Sequence, residues 1–233
     1  MFFYDLKLLS PLFYRTRQDS GAAGSNTTDP WIGDLAISYS INYSLGLSRI
    51  GFDYTGTKPH YEELLKLPFV TSVAYPTKDV THTRVYDVAT SFISQGYFNS
   101  KAFLKTGNAP MRNWLKRQGL LPGNEFKFAI ATRDGWIPPE RFTIRLGNMK
   151  ECLASCIRSE EQDKEITINM YTLKLIWSKF RNSSESFDEA LFSGDTFSYG
   201  SGGQLHIEYV LPQYVLIRGV NIHKWLSLLN GYS

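Results

Sequence analysis

The sequence predicts an α+β fold, and three features of the chain support this prediction. Hydrophobic residues make up 42% of the 233 residues and charged residues 20%, as in folded proteins. Segments that alternate with the period of a β-strand lie near the start, the middle and the end of the chain. An apolar segment with helical spacing follows the first strand, so strands and helices are interspersed along the chain.

The first fifty residues predict a strand, a loop and a helix. Residues 2–9 alternate loosely and suit a buried strand. Residues 16–31 are rich in Gly, Ala, Ser, Asn and Thr, a composition that predicts a loop. Asp34 is expected to N-cap the following helix, and Gly46 stands where that helix should end.

The segment 50–123 is predicted to be an insertion within a single domain of residues 1–233. Residues 59–68 predict a short helix bounded by prolines, and the β-branched alternation of 70–90 around a polar break predicts a long hairpin. Residues 103–124 are rich in turns and basic side chains, with a short helix expected near the sequence MRNWLKRQG.

The second half of the chain predicts further strands and one more helix. Residues 125–132 alternate as a strand, and 141–147 is its expected partner across the turn RDGWIPP. A helix is expected to begin at NMKECLASCIRSE, and 165–177 again alternates as a strand. Two last strands are predicted at QLHIEYV and YVLIRG, after a glycine loop.

Without the insertion, the order of predicted elements is close to βαββαβ. This is the topology of ferredoxin-like proteins and of the RNA-recognition motif. Because that topology supports many functions, the function has to be argued from particular residues.

Composition narrows the range of functions. The net charge is +3 and the isoelectric point is about 8.7, while Phe, Trp and Tyr make up 15% of the chain. Aromatic side chains beside Arg, Lys and Gly suit a surface that stacks bases and contacts phosphates. No apolar run reaches the length of a membrane helix and the N-terminus lacks a signal-peptide pattern, so we expect a cytoplasmic protein that does not contact the membrane.

The two cysteines predict neither a disulfide nor a metal site. Cys152 and Cys156 lie four residues apart, where one face of a helix would give poor disulfide geometry. No His or second Cys pair stands at ligand spacing. We expect two small buried residues and no cofactor.

The first candidate nucleic-acid site is the end of the first strand and the loop that follows. Tyr14, Arg15 and Arg17 end the strand, and Gly21 and Gly24 lie in the loop. Glycine and small polar residues let backbone N–H groups approach phosphates, whereas arginines contact phosphates through charge. The spacing does not match a P-loop. The alternative is an ordinary solvent-exposed loop.

Two further candidate nucleic-acid sites are a predicted strand-to-helix junction and a glycine-rich turn. Arg145 and Lys150 flank the expected strand-to-helix junction, where an anion can meet free N–H groups, although a plain turn would have the same pattern. Gly200, Gly202 and Gly203 form a dense glycine turn that permits close backbone approach. Its alternative is a flexible hairpin tip.

The predicted hairpin carries the last candidate. His82, Arg84 and Tyr86 alternate and would share one face, which could stack or wedge a base; an exposed amphipathic ribbon is the alternative. Arg117, on the predicted short helix, is expected to belong to a solvated helix face.

Signals of catalysis are few. The four histidines are scattered, and no nucleophile or metalloprotease motif is present. His206 follows the glycine turn and could act as a general base in metal-independent RNA cleavage. It lies in the middle of a predicted strand without a second acid–base partner, however, and we therefore expect no enzymatic activity and assign no catalytic residue.

The strand end LFYRTR, the small-residue loop, GDLAISYSINYSLGL and PPERFTIRLGNMK together resemble the Csc-one family. This family is the Cas-five-type RAMP subunit of type I-D CRISPR (Cascade) effector complexes, which serve antiviral defense. The resemblance runs along most of the chain and is strongest in residues 1–50 and 125–150. The segment SYGSGGQ is shorter than the glycine-rich loop usual in the wider RAMP superfamily.

The resemblance implies a modified RNA-recognition-motif core with a β-hairpin thumb insertion. It implies a non-catalytic, RNA-binding subunit of a ribonucleoprotein complex that caps the 5′ handle of the CRISPR RNA. The implied protein partners are the large subunit and the repeated backbone subunit, and target DNA near the protospacer-adjacent motif is a further candidate partner. The alternatives are a metal-independent CRISPR RNA-processing endoribonuclease on the same fold and a protein-interaction scaffold without nucleic acid.

Overall fold

The computed structural model describes residues 1–13, 25–50, 61–90, 113–147, 151–161, 165–180, 207–211 and 214–229. Twelve strands, three α-helices and one 3₁₀ helix lie in these ranges. In chain order they are β1 (Phe2–Leu8), β2 (Ser25–Thr27), α1 (Asp34–Leu45), the 3₁₀ helix (Tyr61–Lys66), β3 (Phe69–Thr71), β4 (Tyr75–Pro76), β5 (Tyr86–Thr90), β6 (Asn113–Gln118), β7 (Glu125–Thr132), β8 (Arg141–Leu146), β9 (Cys152–Ser159), β10 (Glu165–Asn169), α2 (Met170–Phe180), β11 (Ile207–Leu211), β12 (Tyr214–Asn221) and α3 (Ile222–Leu228).

An antiparallel main sheet of six strands lies at the centre of the fold. Its order is β3–β7–β1–β9–β8, and β4 also pairs with β7. Leu6 of β1 stands opposite Phe126 of β7 on one side and Cys156 of β9 on the other. All three side chains are fully buried, since alternate residues of each strand face the same side of the sheet.

The pairing of β1, β8 and β9 defines a ferredoxin-like core. Both β1 and β8 are antiparallel to β9, so they are parallel to each other with β9 between them. Helix α1 lies between β1 and β8 in the chain and packs against β8, which gives the split βαβ unit of this fold. Strand β7 lies on the other side of β1, where the fourth ferredoxin strand is found, although it precedes β8 in the chain. The predicted α+β class with a ferredoxin-like core is confirmed.

Two smaller sheets accompany the main sheet. Strands β10, β12 and β11 form one of them, and β2, β6 and β5 form the other. The first, together with α2 and α3, covers Phe3, Ala129 and Ala131 on the side of the main sheet that α1 leaves open. The rest of that side, along β8 and β9, carries exposed residues such as Arg141, Arg145 and Ile157.

The predictions for the first strand, the first helix and the strand at 125–132 are confirmed. Gly46 caps α1 with a left-handed φ of 64° and donates its N–H to the Asn42 carbonyl. The predicted N-cap is wrong. Gly33 caps α1, whereas Asp34 lies in the first turn, where its buried carboxylate accepts hydrogen bonds from Asn169 and Thr172. The short helix predicted within 59–68 is present as the 3₁₀ helix.

Two helix predictions are wrong because neighbouring strands decide the local conformation, and one strand prediction is correct only for its first five residues. The helix expected to begin at NMKECLASCIRSE is absent: Cys152–Ser159 is β9, which is paired on both sides. The segment Asn113–Gln118 is a strand instead of a short helix, and Ser25–Thr27 within the predicted loop pairs with it. The strand predicted over 165–177 ends at Asn169, where α2 begins.

Two pairing predictions are also wrong. The hairpin predicted over 70–90 does not form, because β3 and β4 both pair with β7 and β5 pairs with β6. The segment 141–147 does not pair with β7; β8 pairs with β9 instead. Part of the predicted insertion, residues 69–76, therefore belongs to the main sheet.

Both cysteines are free and buried. Burial raises the pKa of the Cys152 thiol to about 11 and also raises the pKa of the Cys156 thiol. Among the helices that the structure describes, none has the length and apolar character needed to cross a membrane.

Candidate nucleic-acid interface

Five of the candidate residues lie in the segment 14–24, and the described residues on either side of that segment contact the same part of the chain. Leu12 and Leu120 exchange backbone hydrogen bonds of 3.0 and 2.9 Å. On the other side of the segment, the Thr28 N–H donates to the Gln118 carbonyl at 2.8 Å, and the Thr28 hydroxyl donates to the Leu12 carbonyl at 3.4 Å. The chain therefore leaves and re-enters beside the same short stretch, residues 118–120, which we call the anchor.

Two glycines allow the backbone of Leu12 and Phe13 to pass close to its neighbours. A Cβ atom on Gly119 would lie 2.6 Å from the Leu12 carbonyl oxygen, and one on Gly147 would lie 2.9 Å from the Phe13 carbonyl oxygen. Gly147 also has a φ of +84°, which favours glycine. Any side chain at either position would push away the backbone from which the segment 14–24 begins.

Residues 82 and 83 also pair with the anchor. The Thr83 N–H donates to the Gly119 carbonyl at 2.8 Å, and the Gly119 N–H donates to the Thr83 hydroxyl at 3.0 Å. His82 forms a β-bridge with Leu120, and its Nε2 lies 3.3 Å from the Thr28 carbonyl oxygen. This geometry assigns the His82 ring to the support of the anchor, because a protonated Nε2 donates to that carbonyl.

Three arginines lie within two residues, along the chain, of residues that form the contacts described above. Arg117 lies two residues before Gly119, and Arg145 lies two residues before Gly147, so each glycine ends an Arg-x-Gly sequence. Arg84 follows the buried Thr83 directly. Arg84 and Arg145 are exposed and Arg117 is half-buried. Arginine in such an exposed or partly exposed position suits contact with phosphate oxygens.

The structure brings some of the predicted site residues together, although not for the predicted reasons. His82 and Arg84 lie at the anchor without forming a hairpin face, and Tyr86 begins β5 opposite Arg117. Arg145 lies in β8, and the next element is the strand β9, so the helix start expected after Arg145 is wrong. The other predicted residues lie outside the described residues: Tyr14, Arg15, Arg17, Gly21, Gly24, Lys150, Gly200, Gly202 and Gly203.

Sequence reasoning missed Gly119 and the role of Arg117. The prediction of a short helix near MRNWLKRQG assigned Arg117 to a solvated helix face and left the glycine unexplained. The repeated Arg-x-Gly pattern, RQG at 117–119 and RLG at 145–147, was the available signal.

A buried carboxylate lies beside the core, away from this interface. Asp34 Oδ1 accepts a hydrogen bond from Asn169 Nδ2 at 2.9 Å, and Oδ2 accepts one from the Thr172 hydroxyl. Burial raises the pKa of Asp34 to about 6, and the hydrogen bonds from Thr172 and Asn169 oppose this rise. This cluster joins α1 to β10 and α2. Within the described ranges, no group of His, Cys, Asp or Glu side chains could hold a metal ion.

The sheet order and the packing of α1 on β8 define an α+β protein of the ferredoxin-like class. Within that class, the family model described as type I-D CRISPR-associated protein Cas5/Csc1 matches residues 1–189. The chain belongs to this family, which confirms the resemblance seen in the sequence and supports a role as a CRISPR effector subunit.

Solved structures give more distant similarities. Two cryo-EM structures of the type III-B Cmr-beta complex contain similar chains, one complex bound to cognate target RNA and AMPPnP and the other to cognate target RNA. The first chain has a TM-score of 0.46 and 10% identity, and the second has 0.40 and 11%. Each match covers 94% of this chain and 84% of the other. No curated protein sequence matches the chain.

Proposed function

We propose that the protein is a non-catalytic RNA-binding subunit of a type I-D CRISPR interference complex and caps the 5′ handle of the CRISPR RNA. The observation that carries this proposal is the anchor, because residues 12 and 28, which stand on either side of the segment 14–24 in the chain, both contact it. Arg117 and Arg145 lie two residues before the glycines that contact residues 12 and 13. Family membership supports the role in a CRISPR effector complex.

The anchor favours RNA binding because it lowers the entropic cost of binding. Holding both ends of a short segment reduces the conformational entropy that the segment loses when it binds a ligand. Arg15 and Arg17 follow Leu12 within five residues along the chain, and we assign to them the phosphate contacts that start from the anchor. Phosphate contacts of this kind position an RNA strand without reading its sequence.

Exposed apolar residues support protein partners. Ile137 is 68% exposed, Val85 is 54% exposed and Tyr43 is 50% exposed. Tyr43 lies on α1, Val85 lies just before β5, and Ile137 lies between β7 and β8. We assign these surfaces to the large subunit and the backbone subunit of the complex, with target DNA near the protospacer-adjacent motif as a further partner.

The proposal assigns no catalytic residue. His82 supports the anchor, and His206, the only histidine that sequence reasoning favoured as a general base, lies outside the described residues. Incubation of the purified protein with a repeat-bearing RNA in EDTA should leave the RNA intact. Specific cleavage under these conditions would favour the endoribonuclease alternative instead.

The experiment that tests RNA binding compares two double variants in the assembled complex. Arg15→Ala with Arg17→Ala should weaken binding of the handle RNA and reduce the slope of log K against log salt by roughly 0.7 for each lost phosphate contact. The control, Arg49→Ala with Lys66→Ala, removes the same charge from two exposed positions outside the anchor and should leave the slope unchanged.

Two outcomes would contradict the proposal. If the arginine variant loses affinity by the same factor at every salt concentration, the two arginines contact protein instead of phosphate. If both double variants change the slope equally, only net charge matters and the segment has no specific role.

A further inference from the structure

A cleft of about 320 Å³ lies where the main sheet meets the sheet of β10, β11 and β12. Phe3, Tyr75 and Lys127 line it from the main sheet, and Glu165 and Arg218 line it from the smaller sheet. Beside the cleft, the Val73 N–H donates to the Thr167 carbonyl at 3.0 Å, which joins the two sheets directly. The volume is at the lower end of the range found for small-ligand sites.

A β-bulge places Arg218 at this cleft. Ile166 of β10 pairs with Val220 and Ile168 pairs with Ile217, so two residues of β12, Arg218 and Gly219, stand opposite one residue of β10. Gly219 has a φ of 72°, which is typical of the glycine in such a bulge. Bulges often redirect a side chain beside a functional site. Here the Arg218 guanidinium carbon lies 4.5 Å from the centre of the Tyr75 ring.

The charges around the cleft favour an anion. Lys127 and Arg218 approach it from the two sheets, whereas Glu165 is the only carboxylate among the described residues of its lining. Lys127 also forms a 2.8 Å ion pair with Glu161, whose side chain is 81% exposed. An ion pair with so exposed a carboxylate contributes little stability, and a phosphate can replace it at small cost.

We propose that this cleft binds one nucleotide of a single nucleic-acid strand. Lys127 and Arg218 contact the phosphate, and the base lies against the Arg218 guanidinium, which Tyr75 supports from its other side. The site is separate from the anchor, and only the identity of the ligand rests on the proposed function.

The test uses the full ¹⁵N-labelled chain and three small probes: UMP, uridine and inorganic phosphate. UMP should shift the amide signals of Thr77 and Gly219, two residues of the cleft, with saturation at a Kd of about 1 mM. Uridine should produce no saturable shift, and phosphate should bind more weakly than UMP because it lacks the stacked base.

The variant Lys127→Met should weaken UMP binding about tenfold, through loss of a charge-assisted hydrogen bond. Lys7→Met is its matched control, because Lys7 forms a similar ion pair with Glu125 at 3.0 Å yet does not line the cleft. Arg218→Gln provides a second variant from the smaller sheet. Its amide spectrum without ligand shows whether the bulge keeps its structure.

Four results would overturn the proposal: no saturable shift with UMP, equal weakening by Lys7→Met and Lys127→Met, phosphate binding as tight as UMP binding, or no shift with a nucleic-acid decamer. A decamer of uridine or thymidine should shift the same two amides at lower concentration than UMP. A decamer that leaves them unchanged would show that the cleft takes free nucleotides and not a strand. Because Arg15→Ala with Arg17→Ala should keep UMP binding intact, failure at the anchor and failure at the cleft are distinguishable.

Discussion

On the face of the main sheet that packs against α1, the covered face, Leu6, Phe126 and Ile144 are fully buried. Asp5, Lys7 and Arg145 are exposed on the part of the other face that the smaller sheet leaves uncovered, the open face. Residues of both groups alternate along β1 and β8. A slip of one residue in the pairing would therefore move charges into the core and apolar side chains into water. The comparison teaches that the covered face specifies the register, while the open face can keep charges for ligands and partners.

The largest expected effect is on the covered face. Phe126→Ala should lower the free energy of unfolding by about 3–5 kcal/mol, because it removes a fully buried ring from the centre of the core. Urea unfolding followed by circular dichroism measures the change. A loss below about 1 kcal/mol would show that this face does not form the tightly packed core described above.

The second effect concerns the charge buried at the start of α1. Since burial raises the pKa of Asp34 from 3.8 to about 6, its contribution to stability is complete below pH 3.8 and is lost as the pH rises to about 6. The shift corresponds to about 3 kcal/mol. Asn has the same shape and no charge, so Asp34→Asn should gain stability relative to the natural protein as the pH rises through this range.

Urea unfolding of both proteins between pH 4 and pH 7.5 tests this expectation. The difference in the free energy of unfolding should increase with pH and then level off. A constant difference would mean that the carboxyl of Asp34 titrates alike in the folded and unfolded states.

The third effect lies where β8 ends beside the anchor. Gly147→Ala should cost about 2–3 kcal/mol, from left-handed backbone strain of about 1 kcal/mol and the overlap of the new Cβ with the Phe13 carbonyl. Gly123→Ala is the matched control, because Gly123 has a φ of +89° and nothing within 4 Å of its Cβ position. If the two variants lose the same stability, the close approach of Gly147 to the Phe13 carbonyl does not contribute to the loss.

The smallest effect is expected on the open face. Lys7→Met breaks an ion pair between side chains that are 53% and 44% exposed, and should change the free energy of unfolding by less than about 0.5 kcal/mol. Urea unfolding at low and high salt measures it. A loss comparable with that of Phe126→Ala would contradict the division of roles between the two faces.

The sequence alone predicted elements whose pattern permits only one interpretation. The alternation of 125–132 and the apolar helix ended by Gly46 are examples, and both are confirmed. At Cys152–Ser159 the pattern was ambiguous, because Cys152 and Cys156 share a face both in a helix and in a strand. Pairing with β1 and β8 resolved it, and no local property of the segment encodes that pairing.

The candidate site divides in the same way. The residue types of the site can be read from the amino-acid sequence, with arginines and glycines clustered near residues 15–24, 117–119 and 145–147, and so can the family. The folded chain, in contrast, is needed to see that residues 12–13, 28, 82–83, 118–120 and 147 meet, and that a bulge brings Arg218 to a cleft beside Lys127. The physical reason is that these contacts join residues far apart in the chain, whose approach depends on burial of the whole sheet and not on local preference.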